Sequence, residues 1–441
     1  MREALGIAPV RGRPALSFTE ISTDTRRLRP GSLFVALAGE RYDGHDYLPA
    51  AAAAGATAAV VRRGTPPVPG LELLEVDDPL RAYGELARRR RRAVRGPVIA
   101  VTGTNGKTST KEMLAAALRV RYATHATRAN LNNLVGVPAT ILEAPPDAEA
   151  LVVEAGANRP GEIARYREII EPTVAVITNV GPGHLEGFGS LEGVLAEKLE
   201  LVRDAPLAVV GTEPAALPEG ARRLARRVLT AGIERGDRRP DRVALDPLGR
   251  AAVEVRGRRF TLPYPGRHLA ENAMLAWTVG EELGLDLDRV AAALGGFRLP
   301  GGRSELRQEG GFTILDDCYN ANPLSFRAAI QTAAQLRQGR RLVFVAGTMR
   351  ELGPEAPRLH AEVARELVEL DPDLLAAVGD FVPALAPYAA RLGPRLITAP
   401  DVPELGALLA PRLRGDEVIV LKASRGVALE RILPELLARA Q

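Results

Sequence analysis

Lysine is almost missing from this chain of 441 residues. It stands only at Lys107, Lys111, Lys198 and Lys422, and every other basic side chain that is permanently charged is arginine. Arginine therefore serves wherever any cation suffices. A retained lysine marks a place that needs a compact ammonium, or an amine able to lose its proton. Asparagine is confined to nine positions, 105, 130, 132, 133, 158, 179, 272, 320 and 322. Shortage of both residues fits a GC-rich genome or a hot habitat. The one cysteine, Cys318, excludes an internal disulfide framework and fits a reducing compartment. No apolar run approaches the ~18 residues of a membrane span, and the polar N-terminal stretch does not read as a secretory signal. A cytoplasmic protein without a membrane span is expected. A net charge of +4 is mild for this length and suits anionic substrates without demanding nucleic acid. What is plentiful is core material. Hydrophobic residues make up 46% of the chain, enough for about three domains of ordinary size.

The stretch from Pro97 to Leu114, PVIAVTGTNGKTSTKEML, carries the strongest signal. Val98 to Val101 read as a buried strand. Gly103, Thr104, Asn105 and Gly106 form a tight loop, and Met113, Leu114, Ala117 and Leu118 recur at helical spacing after Lys107, Thr108 and Ser109. A strand feeding a glycine loop that opens a helix is a polyphosphate cradle. Glycines admit backbone N–H groups to the phosphates, and the helix N-terminus favours negative charge. Lys107 neutralises that charge, and the Thr108 hydroxyl can ligate Mg²⁺. The spacing is the short G-x-x-G-K-T, because Val101 stands where the longer P-loop has its first glycine.

Before this loop, short apolar strands at 33–37, 58–61 and 71–76 alternate with helical stretches. Ser22, Asp24, Thr25 and Arg26 form a polar cluster able to hold a phosphate or sugar. The five arginines Arg88–Arg92 close a helix, where cations are favoured, and without aromatic platforms they read as a solvated helix end. From 97 to about 301, strands and helices alternate as in a parallel sheet covered on both faces. Ligands of such sheets collect at strand carboxyl ends. There stand Lys107 and Thr108, then Glu154 and Asn158, then Asn179 and His184, with Lys198 on the following helix. Short strands are expected at 251–255 and 258–262. A helix then carries His268 and Asn272 on one face, and Phe297–Arg303 reads as a hinge. Alternation resumes after 304, with Asp316, Asp317, Asn320, Asn322, Thr348 and Ser424 past strand ends. This third part has no phosphate loop and reads as a second jaw. The expected fold is α/β with three domains. Residues 1–96 form an N-terminal domain, 97–302 a central P-loop-type parallel-sheet ATPase domain, and 303–441 a Rossmann-like C-terminal domain.

These segments together resemble the Mur ligases, ATP-dependent amide-bond-forming enzymes of peptidoglycan precursor synthesis. The resemblance runs through GTNGKT, the EAG glutamate, NVGPGHLEGFGS, AEKLE and GRHLAEN. RANLNNLVGVPATIL, DDCYNANP and MRELG resemble the branch that adds D-alanyl-D-alanine. The resemblance implies ligation of UDP-N-acetylmuramoyl-tripeptide to D-alanyl-D-alanine through an acyl phosphate, with ATP converted to ADP and phosphate. It implies that Lys107 and the 103–109 loop hold ATP, with Asn272, Arg303 and Asp317 as further nucleotide contacts. Thr108, Glu154, His184 and a carbamylated Lys198 would hold Mg²⁺. Ser22, Asp24, Thr25, Arg26, Gly44 and His45 match the UDP-binding region. Asn130 and Asn133 fall where the muramoyl peptide is expected, and Asn320, Asn322 and Arg425 where the dipeptide lies. A monomer that binds no nucleic acid is expected.

Two positions depart from the family pattern. Thr348 replaces an aspartate and Ala423 a glycine, and an alanine there is expected to strain a left-handed backbone. The alternatives are the family branch that adds the third peptide residue, against which DDCYNANP and Asn132-Asn133 argue, and a nucleotide-dependent switch without ligation. The latter leaves Lys198 and both flanking jaws unexplained.

Overall fold

A computed structural model describes residues 17–39 and 41–438. The chain forms two compact units. Of the described residues, the first comprises those of 17–101, 122–157 and 161–175; the second comprises 102–121, 158–160 and 176–438.

In the first unit, strands Ile21–Ser22, Leu33–Val35, Ala58–Arg62 and Glu72–Val76 lie side by side in that order, all parallel. Leu33 pairs with Ala58, and Ala59 with Leu73. The central strands are apolar at nearly every position, as expected where both faces are covered. Leu33, Val35, Ala58, Val60 and Leu74 pack against Ala82, Tyr83 and Leu86 of the helix Pro79–Arg91. Asp78 caps that helix by accepting from the N–H groups of Leu80 and Arg81. The same unit holds the parallel strands Ala150–Glu154 and Thr124–Ala126 and residues 98–101 of strand Val98–Thr102, with Val98 opposite Leu151 and Thr124 opposite Ala150.

The arginine run at the end of this helix is not a solvated end. Arg88 and Arg92 converge on the Glu171 carboxylate, with Arg88 Nε 2.8 Å and Arg92 Nε 2.9 Å from its oxygens. Arg90 donates to the Ala144 and Pro145 carbonyls, and Arg91 to those of Ile170 and Glu171. Glu171 has a left-handed backbone (φ 42°) as the C-cap of helix Glu162–Ile170. The arginines thus satisfy chain-end carbonyls that a helix terminus leaves open. Arg88, Arg90, Arg91 and Arg92 are thus engaged within the first unit.

In the second unit, Val228–Thr230 and Leu207–Val210 are neighbouring parallel strands, and strand Val174–Ile177 straddles the division between the units. Three antiparallel strands follow, Arg242–Leu245, Arg250–Val255 and Arg258–Pro265. The first of these adds to the two expected from sequence, where its exposed alternation gave little apolar signal. Helix His268–Glu282 packs against helix Lys107–Leu118. The last sheet has the order Glu305–Glu309, Phe312–Asp317, Val418–Lys422, Leu342–Ala346, Leu374–Val378, Leu396–Ala399; only its first strand is antiparallel. The carboxyl ends of its second and third strands place Asp317 opposite Lys422. Among the described residues, no helix is long and apolar enough to cross a membrane.

Candidate active site

The loop after strand Val98–Thr102 is held by its backbone and cannot carry larger residues. Gly103 has φ +143°, and a Cβ there would overlap the Thr178 hydroxyl. Gly106 has φ +77°, and a Cβ there would run into the Asn272 side-chain amide. Thr104 N–H donates to the Asn179 carbonyl (2.9 Å), and Asn105 N–H to the Asn179 side chain (3.0 Å). The Thr178 hydroxyl donates to the Asn105 carbonyl (2.5 Å). Lys107 Nζ curls back onto the carbonyls of Gly103 (2.8 Å) and Thr104 (3.0 Å), which sets its ammonium over the loop. Helix Lys107–Leu118 begins at Gly106 with no side-chain cap, so its first-turn N–H groups are offered to an anion. Thr108 and Ser109 are buried in that first turn. The strand, tight loop and helix are built as the sequence implies.

Glu154, in the first unit, ends strand Ala150–Glu154 and is 2% exposed. Its Oε1 accepts from Asn132 Nδ2 at 2.8 Å, while its Oε2 is buried without a hydrogen-bond partner. A buried, unpaired carboxylate oxygen is costly unless it meets a cation. Among the described residues, no three His, Cys, Asp or Glu side chains form a metal cage. Mg²⁺ needs no such cage, because it keeps water and substrate phosphate oxygens in its shell. Glu154 therefore fits an Mg²⁺ ligand. Asn132, absent from the expected site residues, is the one that orients it; scarcity of asparagine was the available signal. Asn133 instead accepts the N–H groups of Val135 and Gly136 at the start of helix Gly136–Leu142, and Asn130 is exposed.

In the second unit, His184 caps the short helix Leu185–Phe188 with φ +56°. Its Nδ1 lies 2.6 Å from Glu351 Oε2, a close charge contact without hydrogen-bond geometry. Glu351 is held below the usual carboxylate range, chiefly by the His184 imidazole, with lesser help from the charges of Lys107 and Arg350. Lys198, on helix Leu191–Leu199, is 1% exposed, and its Nζ sits 5.6 Å from the centre of the Phe188 ring. A solvated surface lysine is thereby excluded.

In the first unit, Asp24 accepts from Arg26 Nε and from the Arg26 N–H, closing the turn Thr25–Arg27, with the Ser22 hydroxyl receiving the Asp24 N–H. Gly44 stands where a Cβ would sit 2.7 Å from the Leu37 backbone nitrogen. His45 uses both ring nitrogens within the protein: Nδ1 meets Asp43 (2.6 Å), and Nε2 accepts the Arg62 N–H (3.0 Å).

The third set of expected residues lies at the carboxyl ends of the last sheet. Asp317 accepts from Lys422 Nζ (2.5 Å) and from the Ser304 N–H (3.1 Å), and Lys422 also donates to the Asn320 carbonyl (2.8 Å). The retained Lys422 thus straps the loop after strand Phe312–Asp317. Arg303 stacks its guanidinium 3.7 Å from the centre of the Tyr319 ring. Asn320 turns its side chain onto the Ala321 N–H, and Arg425 is exposed and paired with Glu430. Asn322 exchanges two hydrogen bonds with Asn105 of the phosphate loop, at 3.0 and 2.7 Å. The hydroxyl of Thr348 receives the Asp380 N–H. Ala423 is buried and is not among the residues with a left-handed backbone, so the expected strain is absent. Its methyl instead faces Gly347, where any Cβ would come within 2.8 Å of it.

Comparison with known proteins covers nearly the whole chain. Residues 17–91 match the Mur ligase family, catalytic domain; 101–280 the Mur ligase middle domain; and 302–425 the Mur ligase, glutamate ligase domain. The UDP-N-acetylmuramoyl-tripeptide–D-alanyl-D-alanine ligase of Bacillus subtilis is 33% identical over 431 residues, covering 95% of this chain and 93% of the relative. That of Escherichia coli is 34% identical over 440 residues, covering 96% and 94%. The crystal structure of MurF from Acinetobacter baumannii aligns with a TM-score of 0.88 at 31% identity, covering 99% of this chain and 97% of that one. MurF ligase from Thermotoga maritima in complex with ADP aligns with a TM-score of 0.84 at 30% identity, covering 96% and 97%.

Proposed function

The chain belongs to the Mur ligase family, and from that premise we propose that it ligates D-alanyl-D-alanine to UDP-N-acetylmuramoyl-tripeptide at the expense of ATP. The phosphate loop carries the reading for ATP, since its glycines, its uncapped helix start and Lys107 suit a bound polyphosphate. Whole-length similarity to ligases of that name supports the substrates.

The reaction has two displacements. The terminal carboxylate of the tripeptide attacks the γ-phosphorus of ATP; the bond to the bridging oxygen breaks and ADP leaves. The product is a mixed acyl phosphate. The amine of D-alanyl-D-alanine, having lost a proton from its ammonium form, then attacks the acyl carbon, and inorganic phosphate departs with the former carboxylate oxygen. Lys107 and the loop N–H groups stabilise charge that builds on the phosphoryl oxygens, and because they are already fixed they need little reorganisation. Thr108, Glu154, His184 and Lys198 would hold Mg²⁺, which when bound neutralises phosphate charge. Lys198 would do so as a carbamate: the neutral amine adds to CO₂, forms an N–C bond and releases one proton, which turns a cation into an oxygen donor. The buried Lys198 side chain and the retention of lysine at that position support this.

The remaining contacts follow the same reading. Asn272, Arg303 and Asp317 would bind nucleotide. Ser22, Asp24, Thr25, Arg26, Gly44 and His45 would bind the UDP moiety, with Asn130 and Asn133 toward the muramoyl peptide, and Asn320, Asn322 and Arg425 toward the dipeptide. Domain boundaries at 96/97 and 302/303 and a monomeric state belong to the same proposal.

The test is a product assay by mass spectrometry with ATP and each acceptor pair in turn. ADP and the UDP-linked pentapeptide should form in equal amounts, and only when tripeptide and dipeptide are both present. Ligation onto UDP-muramoyl-dipeptide would identify the branch that adds the third residue. ADP release with ATP alone would identify an ATPase or switch.

A further inference from the structure

Glu351 is assigned to no ligand, yet it comes within 2.6 Å of a side chain assigned to Mg²⁺. The segment that carries it is fixed on both sides. Met349 N–H donates to Nε2 of the buried His360 (2.9 Å), whose Nδ1 is engaged by the Ala356 carbonyl (2.7 Å). Arg350 N–H donates to the Ser424 hydroxyl (2.9 Å), and Leu352 is buried. Gly353 has φ +56°, and a Cβ there would lie 3.2 Å from the Glu186 Cα, so this segment is pressed against the helix that His184 begins. Glu351 (φ 64°) and His184 (φ 56°) both have left-handed backbones without being glycine. Such a conformation persists where surroundings impose it, often at functional sites. Two strained residues meet through their side chains.

The chemistry of that meeting is specific. A neutral imidazole carries one N–H, and a carboxylate beside Nδ1 draws the proton to that nitrogen. Nε2 is then left as the lone-pair donor. Metal-bound histidines generally have such an outer partner, and its loss typically weakens metal affinity 10–100-fold. The Glu351 side chain is half exposed (52%), so as an ion pair it contributes little to stability.

We propose that Glu351 is a positioning residue: it fixes the tautomer and orientation of His184, so that the segment after strand Leu342–Ala346 completes the metal site. This rests on the assignment of His184 to Mg²⁺. The test measures Mn²⁺ binding to the protein–ADP complex by electron paramagnetic resonance, alongside the thermal midpoint, for wild type, H184A, E351A, E351Q and E351D. We expect E351A to bind Mn²⁺ about tenfold more weakly, with an unchanged midpoint. E351Q, whose amide oxygen can stand beside Nδ1 in place of the carboxylate oxygen, should recover most of the affinity. E351D, one methylene short, should fall between; if E351A does not fold, the comparison of Asp with Gln decides. Wild-type affinity in E351A, with weakened binding in H184A, overturns the inference alone. Equal weakening in Ala and Gln with a lowered midpoint overturns it in favour of a structural role. If H184A binds Mn²⁺ like wild type, the metal assignment falls and the inference with it.

Discussion

The paired amides of Asn105 and Asn322 allow a sharp prediction, because each must both give and accept. Asn105 Nδ2 donates to Asn322 Oδ1 (3.0 Å), and Asn322 Nδ2 donates to Asn105 Oδ1 (2.7 Å). Asn322 Oδ1 also accepts the Ser325 N–H, capping helix Pro323–Arg337. Asn322→Asp preserves the cap and one of the two amide bonds, but replaces the donor with a second oxygen facing Asn105 Oδ1. The lost bond costs about 1 kcal/mol, and an acceptor left unpaired at this buried position about 1–3 more. Asn322→Ala loses both bonds and the cap, about 3 kcal/mol in all. Because the cap survives in the Asp variant, a comparable loss in both variants assigns most of the effect to the amide pair. The assay is hydrogen exchange at the Asn105 amide, which donates to Asn179 inside the loop. A destabilisation of about 2 kcal/mol should speed opening there roughly 30-fold. In a double-mutant cycle, Asn105→Ala and Asn322→Ala should couple by about 2 kcal/mol, whereas distant sites add within about 0.5. An Asp variant exchanging like wild type, or a coupling below that threshold, would refute the argument.

Gly103→Ala should abolish detectable ADP binding in calorimetry, since the methyl must displace the Thr178 hydroxyl and adopt φ +143°, at a cost of about 3 kcal/mol; binding within threefold of wild type would show the loop to be pliable. Lys198→Ala should lose ligation and regain part of it when short carboxylic acids are added, which can supply the missing oxygens; near-normal ligation without them removes the carbamate from the mechanism. Glu171→Gln should flatten the acid limb of stability. Arg92, then Arg88, lower the Glu171 pKa from 4.5 to about 2, so its contribution is full above about 4.5 and is lost as pH falls toward 2. The difference in thermal midpoint between wild type and variant should therefore shrink across that window, and a constant difference would mean that the arginines do not hold the charge.

What could be read in advance was whatever chemistry compresses into a few consecutive residues. Gly103 to Thr108 need particular types at adjacent positions, because one turn of backbone must wrap a phosphate. The strand and helix on either side are equally local. What escaped was set by neighbours distant in sequence. Arg88–Arg92 read as solvated because Glu171 and the carbonyls they satisfy lie about eighty positions onward or in the 144–145 turn. Ala423 was read through a glycine's φ, yet its backbone is unremarkable and the close contact is with Gly347 across the sheet end. Strand Glu305–Glu309, charged and mostly exposed, offered no apolar period; pairing with Phe312–Asp317 across a two-glycine turn makes it a strand.

The retained lysines argue the same point from the other direction. A composition nearly emptied of lysine singles out four positions without saying what each does. At Lys107 the loop answers from adjacent residues, through the carbonyls of Gly103 and Thr104. At Lys422 the answer is Asp317, more than a hundred positions upstream and opposite it only because their strands pair in parallel register. That lysine reads in sequence as a candidate for chemistry, and in the fold it is a buried strap between two strand ends. Breaking such a buried pair from one side strands the other charge and costs about 3–5 kcal/mol. Rarity alone therefore marks where arginine does not substitute. Whether the lysine serves structure or catalysis is decided by which carboxylate or carbonyl the topology delivers to it.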